Sequence, residues 1–511
     1  MTASHGILSL SNDVLRDVLD HIDADPAESV GMDRRAYLSV ESFRPPSPPS
    51  PSRSLLIRNV RLTCRRFADL GAPYQFTRVT TRFSHAGFDR LENIASRPHL
   101  AKHTKKFSYL IPDFYRTGRD KVRELIEQFP PNGSTPSRTY LNPAHFKDKA
   151  RAQRQIVENG YDLRALKKAM SAFRSLQHVQ ILRLQDEPDR CLSDYIQGDP
   201  EQFLQLVDLD WGLACAHALK TVGEALLDSH SSFSRFSGPM MRPDGALALA
   251  KSVPQNARFL AERLTCLELH FEDGPELQDR MIGLSPFFKH VFTAARNIQA
   301  LHIGFPSRQP LRIPLEVLFH EIYWEKLRAF GVQAWRLDAV EIINFARRHR
   351  RTLRGLRLRD VLLLQGSYWR DVLHMLREEM DVLEWVSLRR IDYSNHFDDL
   401  WFGTMEVPDY PPSESDSDDQ QSFHRNVDME NSDWDEDSDD QSDADSDHGP
   451  DANDIALSPD TPASLPFCTC FQNAFPTSAL EIGDNGLTVY QEQRKMWEKW
   501  VIGRCPEHGH A

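Results

Sequence analysis

Residues 353–358 read Leu-Arg-Gly-Leu-Arg-Leu, and residues 383–388 keep the spacing as Leu-Glu-Trp-Val-Ser-Leu. The same frame, apolar at its first, fourth and sixth positions, fits Leu176/Val179/Ile181, Leu264/Leu267/Leu269, Ile298/Leu301/Ile303 and Leu327/Phe330/Val332, with a weaker first copy at Thr104/Phe107/Tyr109. The copies that begin at 264, 298, 327, 353 and 383 are 34, 29, 26 and 30 residues apart. Alternate residues of a strand share a face, so the fourth and sixth positions place two apolar side chains on one side of a short strand. Helical stretches such as Val340 to Arg348 and Trp369 to Met380 lie between copies, and Val340, Ile343, Phe345, Val372, Leu373 and Leu376 are available to cover that side. One copy cannot bury its apolar face alone. Stacked copies share a continuous core, so the spacing predicts an α/β fold, a parallel ladder with its helices outside.

Ahead of the ladder, Ser11 or Asn12 can cap a helix with Asp13 in its first turn, running to about Ile22. Its apolar stripe is Val14, Leu15, Val18, Leu19 and Ile22. Five of the seven residues Pro45 to Pro51 are proline, which predicts an extended or disordered loop. A second helical block from about Leu55 to Tyr74 contains Arg61-Leu62-Thr63-Cys64-Arg65-Arg66-Phe67. Without the loop the two blocks total roughly 45 residues, a size at which a lone core is marginal. A partner or the rest of the chain must cover them.

The order Leu10-Ser11-x-Asp13-Val14-Leu15-x-x-Val18-Leu19-x-x-Ile22, followed by the run Val60 to Phe76, resembles an F-box in the form common in fungal proteins. The chain has Leu10-Ser11 where that family usually has Leu-Pro, and its loop is about 25 residues longer, an insertion a surface loop tolerates at modest entropy cost. An ordinary helical hairpin at the start of a solenoid is the alternative. The repeats resemble the irregular leucine-rich repeats found behind the F-box in many fungal proteins. They lack the Asn that regular members place after the third leucine, and the gap from Leu176 to Leu264 is too long for one repeat, so a non-solenoid α+β domain stays open.

The resemblance implies an F-box-like domain at 1–80 with a disordered Pro-rich insertion at about 24–54, and a repeat domain at 81–405 that binds a target. It implies an adaptor of a Skp-cullin-F-box ubiquitin ligase, without chemistry or cofactor of its own, held by a Skp-type subunit and through it a cullin scaffold. Leu10, Val14, Leu15, Val18, Leu19, Leu62 and Phe67 are the candidates for the adaptor contact, some of them belonging to the F-box core. Outward positions of the strands include Glu268, His270 and His302, then Arg357, Arg359, Ser387 and Arg389. Those arginines suit a carboxylate or phosphate, so an unknown target with an acidic or phosphorylated segment is expected on Arg357, Arg359, Ser387 and Arg389. Pairing with Asp360 and Asp392 is the competing reading. The rival class is a leucine-rich-repeat interaction scaffold without a ubiquitin role.

The net charge of -13 (61 Lys+Arg, 74 Asp+Glu) belongs to one segment. Glu414 to Asp454 holds 17 acidic residues and one basic residue, Arg425, leaving 60 basic against 57 acidic elsewhere. A near-neutral body gives no reason to expect a nucleic-acid partner. Residues 406–465 are expected to be a disordered Ser/Asp-rich segment; Ser432 and Ser442, with Ser413 and Ser415, suit acidophilic kinases, and a solubilising spacer is the alternative. A short element at 466–511 follows: Ala479 to Ile482 and Leu487 to Tyr490 around Asp484-Asn485-Gly486 predict a hairpin, and Glu492 to Val501 a helix. No run of roughly 18 apolar residues predicts a membrane span, and the start lacks a signal-peptide pattern, so a cytoplasmic or nuclear protein is expected. The seven cysteines read as reduced thiols. No phosphate loop, dinucleotide fingerprint, HExxH or GxSxG occurs, and His320-Glu321 has no second His at the zinc-protease spacing. Cys468, Cys470, Cys505, His508 and His510 match no regular zinc finger, so no metal site is expected. The basic run Arg347 to Arg351 reads as a solvated helix end, with a nuclear import signal or a phosphate patch as alternatives.

Overall fold

The computed structural model describes residues 7–23, 51–117, 143–184, 208–243, 246, 254–272, 276–305, 310–394 and 478–503. The acidic segment 406–465, most of the Pro-rich stretch, and Cys468, Cys470, Cys505, His508 and His510 lie outside the described residues.

Three helices form the N-terminal unit: α1 (Asn12–Asp23), α2 (Pro51–Thr63) and α3 (Arg65–Phe76). Ser11 caps α1, its hydroxyl accepting from Val14 N–H (3.3 Å). The proline run assigns 51–54 to the loop, but Pro51 instead opens α2, a position where the missing N–H costs nothing. The second block is not one helix. Cys64 is extended (φ -159°, ψ 165°) and separates α2 from α3. The Arg-Leu-x-Cys-Arg-Arg-Phe run then stitches the unit together. Arg66 donates to Asn12 Oδ1 (2.9 Å) and Leu10 O (2.5 Å), Tyr74 to Asp20 (2.6 Å), and Arg61 to Ala68 O (3.1 Å) and Gln75. Arg61 crosses α3 at Gly71, where a Cβ would stand 2.5 Å from Arg61 Cγ. Leu15, Leu19, Phe67 and Leu70 form a small core separate from the main one.

The chain then enters the sheet at β1 (Arg78–Arg82), so the expected boundary at residue 80 falls inside a strand. There follow α4 (His85–Ala95), α5 (Pro98–Ala101), β2 (Lys106–Ile111), β3 (Phe114–Thr117), α6 (Pro143–Glu158), α7 (Tyr161–Ala172), β4 (His178–Arg183), β5 (Asp208–Asp210), α8 (Trp211–Asp228) and β6 (Arg235–Met241). The order continues with α9 (Pro254–Ala261), β7 (Cys266–Phe271), α10 (Leu277–Ala294), β8 (Ala300–Gly304), α11 (Leu315–Phe319), β9 (Ala329–Leu337), α12 (Ala339–Arg348), β10 (Gly355–Leu363), α13 (Trp369–Glu379), β11 (Trp385–Arg389), β12 (Asp392–Tyr393) and α14 (Gln491–Ile502).

The protein is α/β: its main sheet runs β1-β2-β4-β6-β7-β8-β9-β10-β11, with β12 also on β10, and every pairing in it is parallel. β3 and β5 form a separate antiparallel pair. Strand order follows chain order, and one bond pattern joins each copy to the next. The residue before a strand gives its carbonyl oxygen to two consecutive N–H groups of the following copy. Thr77, Lys105, Gln177, Ser234, Thr265, Gln299, Arg328 and Arg354 do so in turn, at 2.6–3.1 Å.

The frame's fourth positions stack in register as Phe107, Val179, Phe236, Leu267, Leu301, Phe330, Leu356 and Val386, begun by Val79. Helices cover this side. Phe345 of α12, for example, stacks on Phe330 with ring centroids 3.9 Å apart. Val340 is an exception to the expected cover, 61% exposed, whereas Phe345, Val372, Leu373 and Leu376 are buried. The gap after Leu176 holds a strand the frame does not find. Phe233, just before β6, and Phe236 and Gly238 within it occupy the three positions, and α8 fills the helical side.

Beyond the frame, β9 and β10 each turn on a left-handed residue, Ala334 (φ 57°) and Asp360 (φ 51°), and Arg390 (φ 47°) repeats the turn between β11 and β12. For L residues this conformation costs about 1–2 kcal/mol, so the copies share a bend that packing must offset. It returns Trp335, Val361 and Ile391 to the core side.

Residues 478–503 close the sheet's last edge. Instead of the expected hairpin they form turns leading into α14, because Asp484 and Val489 bond to neighbouring elements and no strand pairing joins the two halves. Asp484 accepts from Arg370 N–H (2.7 Å), Gly486 N–H (3.2 Å) and the Tyr393 hydroxyl, and Asp392 accepts from Val489 N–H (3.2 Å). From α14, Glu498 accepts Leu388 N–H, and buried Arg377 donates to Trp500 O and Gly503 O. An unpaired edge is a template for another chain, and α14 covers it. Asp484→Ala should therefore cost about 1–3 kcal/mol, since it orphans buried donors. Hydrogen exchange should show faster exchange confined to 478–503 and 388–393; uniform exchange across the sheet would contradict this.

Candidate interaction surfaces

The seven candidate adaptor residues divide in the N-terminal unit. Leu15, Leu19 and Phe67 face its small core, at 1%, 1% and 8% exposure. Leu10 (39%), Val14 (44%), Val18 (42%) and Leu62 (75%) are exposed, as are Ile7 and Leu56. Val14 and Val18 lie one turn apart on α1, so their face is an apolar stripe open to water.

The second surface is the side of the sheet away from the helices. Arg357 pairs in register with Ser387 and Arg359 with Arg389, so the four target candidates sit side by side across β10 and β11. Arg357 is only 7% exposed. Asp360, expected as a competitor, is engaged: Arg390 Nε approaches it to 2.8 Å and Arg359 Nε to 3.9 Å. Asp392 accepts from the backbone N–H groups of Tyr393 and Val489.

Beside the arginines this face carries a buried polar row that includes the outward positions Glu268, His270 and His302. His178 Nε2 lies 2.9 Å from Ser237 Oγ, and Ser237 donates to Glu268 Oε2 (2.6 Å). The residue types suggest a catalytic trio, but the order is wrong for one. Ser237 lies between the other two and donates to the carboxylate, whereas in a Ser-His-carboxylate triad the imidazole lies between hydroxyl and carboxylate. Burial, only partly countered by the Ser237 hydrogen bond, pushes the Glu268 carboxyl up to about 7, and burial brings His270 down to about 4. The His270 and His302 rings lie 5.3 Å apart, and Gly304 leaves them room: a Cβ there would meet His270 at 2.8 Å. A neighbouring row reads Cys266, Ala300, Ala329, Gly355 and Trp385, with Trp385 lying where a Gly355 Cβ would be. Burial raises the Cys266 thiol to about 11, away from nucleophilic reach at neutral pH.

The basic run is taken apart by the fold. Arg347 forms a two-bonded pair with Glu379 (2.7 and 2.6 Å), Arg348 bonds Glu316, and His349 is fully buried. Arg351 opens instead onto a cavity of about 230 Å³ that it lines with Gln299, Glu325, Lys326, Arg328, Thr352 and Arg354. His320 caps the end of α11 and bonds Ser285 O (3.0 Å). Among the described residues no group of three or more His, Cys, Asp or Glu could hold a metal ion, and no helix is long and apolar enough to cross a membrane. Comparison with known protein families and with curated proteins gives no match for this chain.

Proposed function

We propose that the chain is an F-box substrate-recognition adaptor of a Skp-cullin-F-box ubiquitin ligase, acting in the cytoplasm or nucleus. The helical unit at 7–76 binds the Skp-type subunit, which links it to the cullin. The parallel sheet and its helices are an irregular leucine-rich-repeat solenoid that holds the target, an acidic or phosphorylated protein engaging Arg357, Arg359, Ser387 and Arg389. The observation that carries the reading is the exposed stripe Leu10, Val14 and Val18, with Leu62, on a unit whose own core is four residues. Strand order equal to chain order, with one carbonyl bond pattern repeated through the copies, supports the solenoid. The chain performs no chemical step. It raises the effective concentration of target lysines near the ligase's charged conjugating enzyme.

Copurification from cells tests this. Skp-type and cullin subunits should accompany the full chain, and Val14→Asp with Val18→Asp, or Leu62→Asp alone, should weaken capture by roughly 30-fold or more, the size of an interface hot spot. Circular dichroism should stay unchanged, because these side chains already face water. Leu15, Leu19 and Phe67 are unsuitable, since their loss unfolds the unit. Recovery of the chain in a stable complex without those subunits would sink the adaptor and favour the scaffold.

A further inference from the structure

The turns that open β8, β9 and β10 line a half-open basic cavity of about 230 Å³. Its position follows from the carbonyl pattern joining the copies: Gln299 O accepts from Arg328 N–H, and Arg328 O from Arg354 N–H, both at 2.7 Å. These residues therefore stack about one strand spacing apart, on the order of 4.8 Å, with their side chains at the same edge. The lining holds four cations, Lys326, Arg328, Arg351 and Arg354, against one carboxylate, Glu325.

Two of the cations are already used. Arg354 pairs with Glu384, and Lys326 donates to Asn297 Oδ1 (2.6 Å). Arg328 and Arg351 make no side-chain hydrogen bond or ion pair among the described residues. Arg328 is half-buried and lines the cavity with no ion pair to Glu325 or to any other carboxylate among the described residues. Thr352 and Gln299 add neutral polar groups. The cavity is smaller than the about 300–1,000 Å³ of sites for drug-sized ligands, so it suits one compact group. Two unpaired guanidiniums present fork-shaped donors to an anion with several acceptor oxygens.

We propose that this cavity binds a phosphoryl group, with Arg328 and Arg351 as its principal ligands and Lys326 as a supporting charge. Where the phosphoryl group is carried by a target, the site deepens the adaptor reading and places target capture on the strand-opening turns, distinct from Arg357 and Arg389.

The test uses the purified full chain without Skp-type subunits, so that failure of the adaptor reading leaves it intact. The probes are an Asp/Ser peptide with one phosphoserine, its unphosphorylated form, inorganic phosphate, and a single-stranded RNA oligonucleotide, measured by calorimetry. The phosphopeptide should bind at least tenfold more tightly than the unphosphorylated form. Arg328→Gln and Arg351→Gln should each weaken it by about tenfold or more. Arg347→Gln, outside the cavity, should leave binding as it was. Inorganic phosphate binding as tightly as the phosphopeptide, with the same loss in both variants, also supports the site and assigns it to a small soluble phosphate. Arg351 is exposed, so Arg351→Gln should fold normally even if Arg328→Gln does not. Phosphopeptide affinity unchanged in Arg351→Gln, equal affinity for the unphosphorylated peptide, or tighter binding of the RNA would each overturn the proposal.

Discussion

Trp335→Ala should lower unfolding free energy by about 3–5 kcal/mol, a fifth or more of the about 5–15 kcal/mol a domain typically holds. Trp335 is fully buried in β9, just past the left-handed Ala334. Its indole N–H donates to Ile313 O (2.6 Å), and its ring meets Phe305 edge-on, with centroids 5.1 Å apart. The same residue bridges to Leu311, so it anchors the segment that leads into α11. Removing it opens a cavity between sheet and helix layer and leaves a buried carbonyl without its donor, two costs that act together. Trp335→Phe keeps most of the ring and loses only the donor, so it should cost about 1–3 kcal/mol. Urea titrations of the three proteins check the pair. A loss below about 1 kcal/mol for Trp335→Ala would mean that the layer closes around the gap and that this account of the packing is wrong.

Some of these features are legible in the residues because local chemistry and tertiary packing agree. Ser11 caps α1 where the cap residue and the apolar stripe coincide, and the Leu-x-x-Leu-x-Leu copies become strands because each inward pair meets apolar pairs in register on the strands beside it. β1 and β6 escape the frame for a chemical reason. Thr81 and Gly238 stand where it asks for a leucine, and an edge strand and an aromatic copy do not need one. The hairpin expected at 479–490 fails since Asp484 has better partners in Arg370 and Tyr393, contacts nearly a hundred residues or more away in sequence that no turn signal contains.

The candidate residues were harder still to sort. Leu15 and Val14 are neighbours in one stripe, yet only packing against Phe67 and Leu70 decides which of them is core. The basic cavity has one trace in the sequence, Arg351 in the basic run. Arg328 is an ordinary residue before a strand until Gln299 and Arg354 stack beside it.

Acidification from pH 6.5 to 4 should destabilise the fold by several kcal/mol. His349 shows the mechanism. Its Nδ1 sits 3.1 Å from Phe345 O, and its Nε2 accepts Trp324 N–H (3.2 Å), so a proton added at Nε2 would face another N–H. Burial holds its pKa down to about 4. Burial brings His270 to about 4 as well, helped by Arg359, and lowers His178 and His302, the latter also through His270 and Arg357. A histidine whose folded pKa lies below 6.5 takes up its proton first in the unfolded chain, so its contribution is intact above 6.5 and drains as the pH falls toward 4. For His349 and His270 this amounts to about 3 kcal/mol each. Glu268 works in the opposite sense. Its carboxyl, raised to about 7 by burial, keeps its proton longer when folded, so that stabilisation is full below about 4.5 and is lost as the pH rises through 7. It too amounts to about 3 kcal/mol. Burial raises Glu341 and Asp360 as well, so three carboxyls oppose the four buried histidines; the histidines still outnumber them, and maximal stability should fall near pH 6.5–7. Urea titrations from pH 4 to 8 should show that maximum, and Glu268→Gln should gain about 3 kcal/mol on the parent between pH 4.5 and 7. A constant difference between the two across that interval would show that Glu268 ionises as an ordinary surface carboxylate and that the polar row of the open face is accessible to water.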